Sequence, residues 1–351
     1  MIKKQVYKFL YAKKASIDKN IKFNFKHNLN TDLQYYIKSF GNLNPHKIFY
    51  VIQRFKGGGM FSNINYILHH LLICKKLKCI PVIDFKNYPT KYNVQSNING
   101  SKNSWDYYFK PINKFSLDEV YKSRFVITCS NKTNKIKEFD SFSNLNIEHY
   151  KLFLKNFKLL PDIENEIKKF YRENFKNYKI LGVHFRGSDM KNQERHPFPP
   201  SEKQIIAAIK FQLKNKKYDK IFLVTEVKKY HSKLKKKFQD KLIYYKSYRS
   251  NNYDIFDNDQ RIKHRYLIGK ENLIDMYLLS KTSSIICSKS HLAEASKFVN
   301  LKNNKFKIYE INNGYNSKNI LFAQFLWYYK VIMPEFLGGF KTSYFKNNIS
   351  E

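Results

Sequence analysis

The stretch "KILGVHFRGSDMKNQERHPF", residues 179–198, opens as the apolar run Ile180-Leu181-Gly182-Val183. It then sets His184, Arg186, Ser188, Asp189, Glu194 and His196 within thirteen residues. A packed core needs no such cluster. Residues 184 and 186 are two apart, so on a strand they project from one face. Arginine carries a planar fork of donors that never loses its charge, and it can hold a diphosphate at two points. Gly187 lets the backbone turn sharply or approach a ligand closely. Asp189 can fix the guanidinium or cap the next turn. Glu194, on a polar loop, is placed to take a proton from a hydroxyl as a general base. The plainer alternative is a surface ion pair between Arg186 and Asp189.

Elements that position this cluster follow from the apolar pattern. "HKIFYVIQRF" (46–55) reads as a buried strand, "KGGGMFSN" as a turn, 64–79 as a helix and "IPVIDF" (80–85) as a second strand. That order is a βαβ unit. Residues 86–150 read as an elaborated loop region with short elements, and 163–179 as a polar amphipathic helix leading into a second domain. From 180 the alternation resumes: strands at 180–185, 220–225, 241–245, 284–288 and 307–311, with helices at 201–215, 228–238, 271–282 and 291–299 between them. An aromatic-rich helix follows at 321–337. Such alternation predicts α/β folding, with parallel sheets covered by helices on both faces. The expected division is an N-terminal extension (1–45), two Rossmann-like domains (46–175 and 176–315) and a C-terminal helix and tail (316–351). Ligands of such folds bind at the carboxyl ends of the strands, here in a cleft between the two units.

The 351 residues include 65 Lys plus Arg against 28 Asp plus Glu, a formal net charge of +37. That surplus attracts anions of any kind without choosing among them, and AT-rich coding is an equal explanation for it. Cysteines at 74, 79, 129 and 287 form no CxxC pair, as expected of reduced thiols in a cytosolic protein. No run approaches the roughly 20 apolar residues of a membrane span. The expected location is cytoplasmic, with an anionic membrane surface kept open as a partner met from outside. Basic runs such as "KKYHSKLKKKF" lack a nucleic-acid-binding fold around them, and no nucleic-acid partner is expected.

Other motifs compete. Gly57, Gly59 and Ser62, with Asp84 twenty-two residues beyond Ser62, approximate a dinucleotide fingerprint, the signature of an NAD(P)-dependent oxidoreductase. Asp257-Asn258-Asp259 has the form of a Mn²⁺-holding Asp-x-Asp but sits in a polar loop with no strand to aim it. His70 and Cys74 are i, i+4 on a helix without a third ligand. No metal is expected. Asp275 lies in "ENLIDMYLLS", a helix apolar nearly all round, where an ionised carboxylate is costly without a partner. Ser288 and Ser290 end a strand just before a helix, where phosphates bind or a serine caps.

"GVHFRGSD" resembles the HxRxxD-type signature of the GT-B fucosyltransferase superfamily. That group includes α1,6-fucosyltransferases, nodulation fucosyltransferases and protein O-fucosyltransferases. "GGGMFSNINYILHHLLICKKLKCIPVIDF" is similar to the family's glycine loop, helix and strand, and "SWDYYFKPINKFSLDEVY" to its Trp-acidic-Tyr-Tyr-Phe segment. "IFLVTE" stands where the family has a strand ending in Thr-Asp, and "HRYLIGKENLIDMYLLSKTSSIICSKSH" resembles its donor-binding helix and serine loop. Motifs in matching order run from about 46 to 300. The resemblance implies two Rossmann-like domains facing a cleft. It implies inverting, metal-independent transfer of fucose from GDP-fucose to a glycan acceptor, without a cofactor. Another GDP-sugar, a deoxysugar or heptose, is the alternative donor. By the same resemblance Arg186 grips the β-phosphate, His184 and Thr225 lie beside the donor, and Glu194 is the base. Asp275, Ser288 and Ser290 bind the donor, and Gly57, Gly58 and Gly59 line its cleft. Three positions depart from the pattern: Gly187 replaces a second arginine, Glu226 an aspartate, and Lys289 interrupts the serine loop. The context fits assembly of capsule, lipopolysaccharide or a lipid-linked glycan.

Overall fold

The computed structural model describes residues 22–24, 34–54, 58–130, 142, 145–187, 189–251, 255–256, 261–303 and 305–341. The chain divides into two compact units, Met1–Leu160 and Pro161–Glu351. Each is an α/β unit built on a sheet of five described strands.

In the first unit, β1 (Lys22–Asn24), β2 (Gln34–Lys38), β3 (Leu43–Gln53), β4 (Ile80–Ile83) and β5 (Ser123–Ser130) lie in the order β1-β2-β5-β3-β4. The pairs β3/β4 and β3/β5 are parallel, and β2 runs antiparallel to β5. Helix α1 (Met60–Lys76) makes the β3-to-β4 crossover. β3 alternates as a two-sided buried strand should. Phe49 and Val51 pack with Val82, Val120 and Val126 on one face, while the hydroxyl of Tyr50, one residue over, meets His70 Nδ1 on α1 at 2.8 Å. Two short helices, α2 (Leu117–Val120) and α3 (Ile147–Asn156), complete the described part.

This unit holds more strand than the sequence pattern suggests. β5, within the region read as loops, is the central partner of β3, and β2 falls in the segment read as an N-terminal extension. Antiparallel β2 covers the edge of β5, which would otherwise present unpaired backbone groups.

The second unit begins with α4 (Pro161–Asn174). It continues through β6 (Ile180–His184), α5 (Glu202–Asn215), β7 (Lys220–Val224), α6 (Lys228–Phe238), β8 (Leu242–Ile243), α7 (His264–Ser280), β9 (Ser284–Cys287), α8 (His291–Val299), β10 (Lys307–Glu310) and α9 (Ile320–Ile332). All five strands are parallel, in the order β10-β9-β6-β7-β8. Leu181, Val183, Ile221 and Leu223 face α5 and α6 through Ile205, Ile209, Tyr230 and Leu234. On the opposite face Phe222 meets Phe170 of α4 and Phe175 just beyond it. Gly182 faces α7, and a Cβ there would stand 2.9 Å from Leu279 Cδ1 and 2.7 Å from Thr282 Oγ1, so the close helix–strand approach requires glycine. β8 is shorter than the 241–245 predicted, and α9 stops at Ile332, just before Pro334, a residue that cannot continue a helix. Among the described residues no helix is long and apolar enough to cross a membrane.

Candidate functional site

Strand order locates the site. From β6 the chain moves through α5 to β7 and through α6 to β8 on one side. Through α7 and α8 it fills β9 and β10 on the other. The direction of winding therefore reverses between β6 and β9, and the crevice beyond their carboxyl ends is where doubly wound sheets bind ligands. Register pairs Val183 with Ile286, so the two strand ends lie side by side. His184 closes β6, and Ser288 and Ser290 follow β9.

His184 is buried, and its Nδ1 lies 3.2 Å from Ser290 Oγ. Burial, helped by the charge of Arg186, lowers the imidazole pKa to about 3, so the ring is neutral at physiological pH. Ser290 is the N-cap of α8 and its Oγ accepts from Ala293 N at 3.2 Å. Where the Ser290 hydroxyl donates to Nδ1, the ring proton is on Nε2 and is available to a ligand; in the other tautomer Nδ1–H donates to Ser290 Oγ. Ser288 is 2% exposed and its Oγ has no hydrogen-bond partner. A buried hydroxyl left unpaired costs about 1–3 kcal/mol, which makes this oxygen a candidate ligand contact.

Arg186 lies just past the end of β6. Its Nε is 3.8 Å from Glu226 Oε1, and both side chains are partly exposed, 31% and 22%. Glu226 follows β7, so neighbouring strand tips supply the guanidinium and a carboxylate that orients it. Thr225 is buried, and its Oγ1 accepts from Val227 N at 3.3 Å in a turn that closes the tip of β7. Gly187 is buried against α6, where a Cβ would come 3.0 Å from Tyr230 Cε2. A larger residue there would push Tyr230 off Phe185, on which it stacks at 4.0 Å.

Asp275 lies in the middle of α7, 5% exposed. Its Oδ2 accepts from Ser247 Oγ at 2.7 Å, while Oδ1 has no hydrogen-bond partner. Burial pushes its pKa up to about 7, against the opposing pull of Ser247 and Arg249. One turn earlier Glu271 accepts from Tyr248 N at 2.9 Å and pairs with Arg261. These contacts tie α7 to the loop after β8. The contacts of Asp275 thus run to that loop, and those of His184 run to Ser290.

The remaining predicted residues are more scattered. Asp189 begins a 3₁₀ turn (Asp189–Lys191). Glu194 is exposed, in the turn before Arg195, whose φ is +61° and whose N–H donates to Ser317 O at 3.0 Å. Gly59 is the N-cap of α1 and Gly58 precedes it. Gly57, Ser188 and the Asp257–Asp259 motif lie outside the described residues. His70 and Cys74 do not converge: His70 meets Tyr50, and Cys74 Sγ donates to Cys79 O at 2.9 Å.

Two features lie beyond the sequence reading. Glu226 appeared there only as a departure from a motif, and strand pairing alone reveals it as the partner of Arg186. The second is a cavity of about 770 Å³ bordered by Gly187 and the starts of α5 and α6, with α9 as a wall. Lys191, Lys203, Lys228 and Lys229 line it, with one carboxylate, Glu202, that Lys233 engages at 2.6 Å.

No family model matches the chain, and no curated protein matches it. Solved structures do. NodZ alpha-1,6-fucosyltransferase soaked with GDP-fucose aligns at 18% identity and a TM-score of 0.49, over 72% of this chain and 93% of that one. Fucosyltransferase NodZ from Bradyrhizobium aligns at 17% and 0.48, over 73% and 93%. POFUT1 in complex with GDP aligns at 9% and 0.43, over 74% and 97%. At these identities the comparison bears on the fold alone.

Proposed function

We propose that the chain is a glycosyltransferase that moves a sugar, fucose in the first instance, from a GDP-linked donor to a glycan acceptor. One observation carries this reading: the carboxyl ends of the neighbouring strands β7, β6 and β9 bear a guanidinium with its carboxylate, a neutral imidazole and an unsatisfied buried hydroxyl. The motif resemblance supplies the donor class. Arg186, steadied by Glu226, neutralises the diphosphate as it leaves, and the start of α8 adds its N-terminal dipole. His184 donates from its neutral ring. Asp275 takes a donor group of the nucleotide on Oδ1. The acceptor hydroxyl attacks the anomeric carbon from the face opposite the leaving diphosphate, which inverts the centre, and loses its proton to Glu194. The guanidinium does the leaving-group work that a divalent cation does in other transferases. The acceptor is proposed to be a cell-surface or lipid-linked glycan, met in the cytoplasm.

The oxidoreductase reading is weaker on the geometry. Its ribose-binding acid would be Asp84, and that carboxylate is already filled by Asn87 N at 2.9 Å, Asn87 Nδ2 at 3.1 Å and the Tyr121 hydroxyl at 2.7 Å.

A thermal-shift panel tests the donor class. GDP and GDP-fucose should raise the melting temperature, and NAD should not. Stabilisation by NAD alone would overturn the reading. Arg186→Lys should cut transfer by roughly 10²–10³-fold, because a point charge cannot replace the fork, with the melting temperature unchanged. Undiminished turnover in that variant removes the phosphate role.

A further inference from the structure

Helix α9 is turned the wrong way round for a water-facing helix. A surface helix buries its apolar stripe and shows charge to solvent. Here Ala323 and Trp327 are buried, while Leu321, Phe322, Phe325 and Ile332 are 68–76% exposed. Phe336 and Leu337, in the 3₁₀ turn that follows, are 85% and 51% exposed. Positions 321, 325, 328 and 332 follow helical spacing, so the exposed residues form one continuous stripe. Apart from Gln324 and the hydroxyls of Tyr328 and Tyr329, the exposed surface of the helix is apolar. Isolated exposed apolar residues need no explanation, but a stripe of this kind marks a surface that meets something.

We propose that α9 docks on the surface of an anionic phospholipid bilayer. Two observations select that occupant. The first is local charge. The inner side of α9 walls the lysine-lined cavity, and Lys191 Nζ sits 4.5 Å from the centre of the Trp327 ring on that helix. Exposed Lys318 lies just before the helix, while Lys330 within it donates to Gly338 O at 3.0 Å. Apolar side chains therefore border ammonium groups, the pairing that a headgroup-and-acyl boundary accepts. The second is net charge: at +37, two copies of this chain repel each other, which opposes covering the stripe with a second molecule. At 13 residues, α9 is about 20 Å long, too short to span a bilayer, so it lies in the interface with its aromatic rings at headgroup depth. The inference does not depend on the transferase reading.

Co-sedimentation of the full chain with vesicles tests it. Binding to phosphatidylcholine–phosphatidylglycerol vesicles should exceed binding to phosphatidylcholine vesicles roughly tenfold or more, and should weaken as salt rises. The triple substitution Phe322→Ser, Phe325→Ser, Ile332→Ser should cut binding at least about tenfold without lowering the melting temperature, since these side chains are exposed. Lys203→Glu with Lys229→Glu should remove the preference for the anionic vesicles. Failure of the wild-type chain to bind the anionic vesicles overturns the proposal, as does full binding by the triple variant. A wild-type dimer in light scattering that the triple substitution dissolves, without vesicle binding, assigns the stripe to a second copy instead.

Discussion

The carboxyl edges of the two sheets are built alike and finished differently. In the first unit the tips of β3 and β4 carry Gln53 and Asp84. Gln53 Nε2 donates to the Tyr121 hydroxyl at 3.0 Å, that hydroxyl donates to Asp84, and the other Asp84 oxygen holds the turn at Asn87. Arg54, just past β3, is spent on the first turn of α1, bonding Ser62 Oγ at 2.9 Å and Asn63 Oδ1 at 3.0 Å. In the second unit the tips of β6 and β9 carry His184 and Ser288, and α7 carries Asp275. There Ser288 Oγ and Asp275 Oδ1 have no hydrogen-bond partner at all. Burial raises the pKa of both acids, but hydrogen-bonding positions are filled at one edge and left open at the other. A strand edge whose polar groups satisfy each other is scaffold. An edge that leaves buried groups open is prepared for something that binds.

The largest effect expected from this contrast is on the closed edge. Asp84→Ala takes a fully buried carboxylate away from two donors of Asn87 and from the Tyr121 hydroxyl, both residues being half-buried. Orphaned donors each cost about 1–3 kcal/mol, so a loss of roughly 3–5 kcal/mol is expected in denaturant unfolding. GDP affinity of the folded fraction should be unaltered. A stable variant with lost GDP binding would show that the first unit's edge is the ligand site and reverse the comparison.

Asp275→Asn probes the open edge and should act in the opposite direction. The native carboxyl has a pKa of about 7 against its ordinary 3.8. Between those values the folded state holds a proton that the unfolded chain has released. Folding stability therefore falls as pH rises through this window, and the penalty is fully present above about pH 7. The amide removes it. At pH 8 the variant should be more stable by about 1–3 kcal/mol, with no gain at pH 4, and GDP affinity should fall about tenfold. Equal melting temperatures for the two proteins at pH 8 would mean that Asp275 is not held against its charge.

Much of this contrast was legible in the sequence, and the reasons differ by residue. The strand before His184 and Arg186 shows as an apolar run closed by polar residues, and the serine pair shows as a strand end before a helix. Asp275 stands out as an acid inside an apolar helix. Those signals are local. Central β5, by contrast, lies in a region crowded with Asn, Ser and Lys, and its apolar core, Phe125-Val126-Ile127, is too short to be told from a loop without its partner β3. The Arg186–Glu226 pair spans two strands and forty residues, so only register brings it together. The chain also divides at Pro161, ahead of the helix whose polar character suggested a linker. Phe170 and Phe175 of that stretch pack on Phe222, and a few aromatic contacts outweigh a mostly charged composition. The outward stripe of α9 was hidden for a similar reason: an aromatic-rich helix reads as core until its buried face is seen to be Ala323 and Trp327.

The smallest effect gives the sharpest test, because it compares two serines two residues apart. Ser290 Oγ caps α8 and touches His184, so Ser290→Ala should cost about 0.5–2 kcal/mol of stability. Ser288 Oγ is as deeply buried and bonds to nothing. Ser288→Ala deletes an unsatisfied hydroxyl, and it should leave stability unchanged or raise it by up to about 1 kcal/mol. If that hydroxyl is held open for the donor, the same change should weaken GDP binding about five- to tenfold, the loss of one hydrogen bond. Calorimetric titration beside thermal unfolding reads both. Should Ser288→Ala destabilise as much as Ser290→Ala and bind GDP as tightly as the wild type, the open group is an ordinary packing hydroxyl. The crevice between β6 and β9 would then be as closed as the edge of the first sheet.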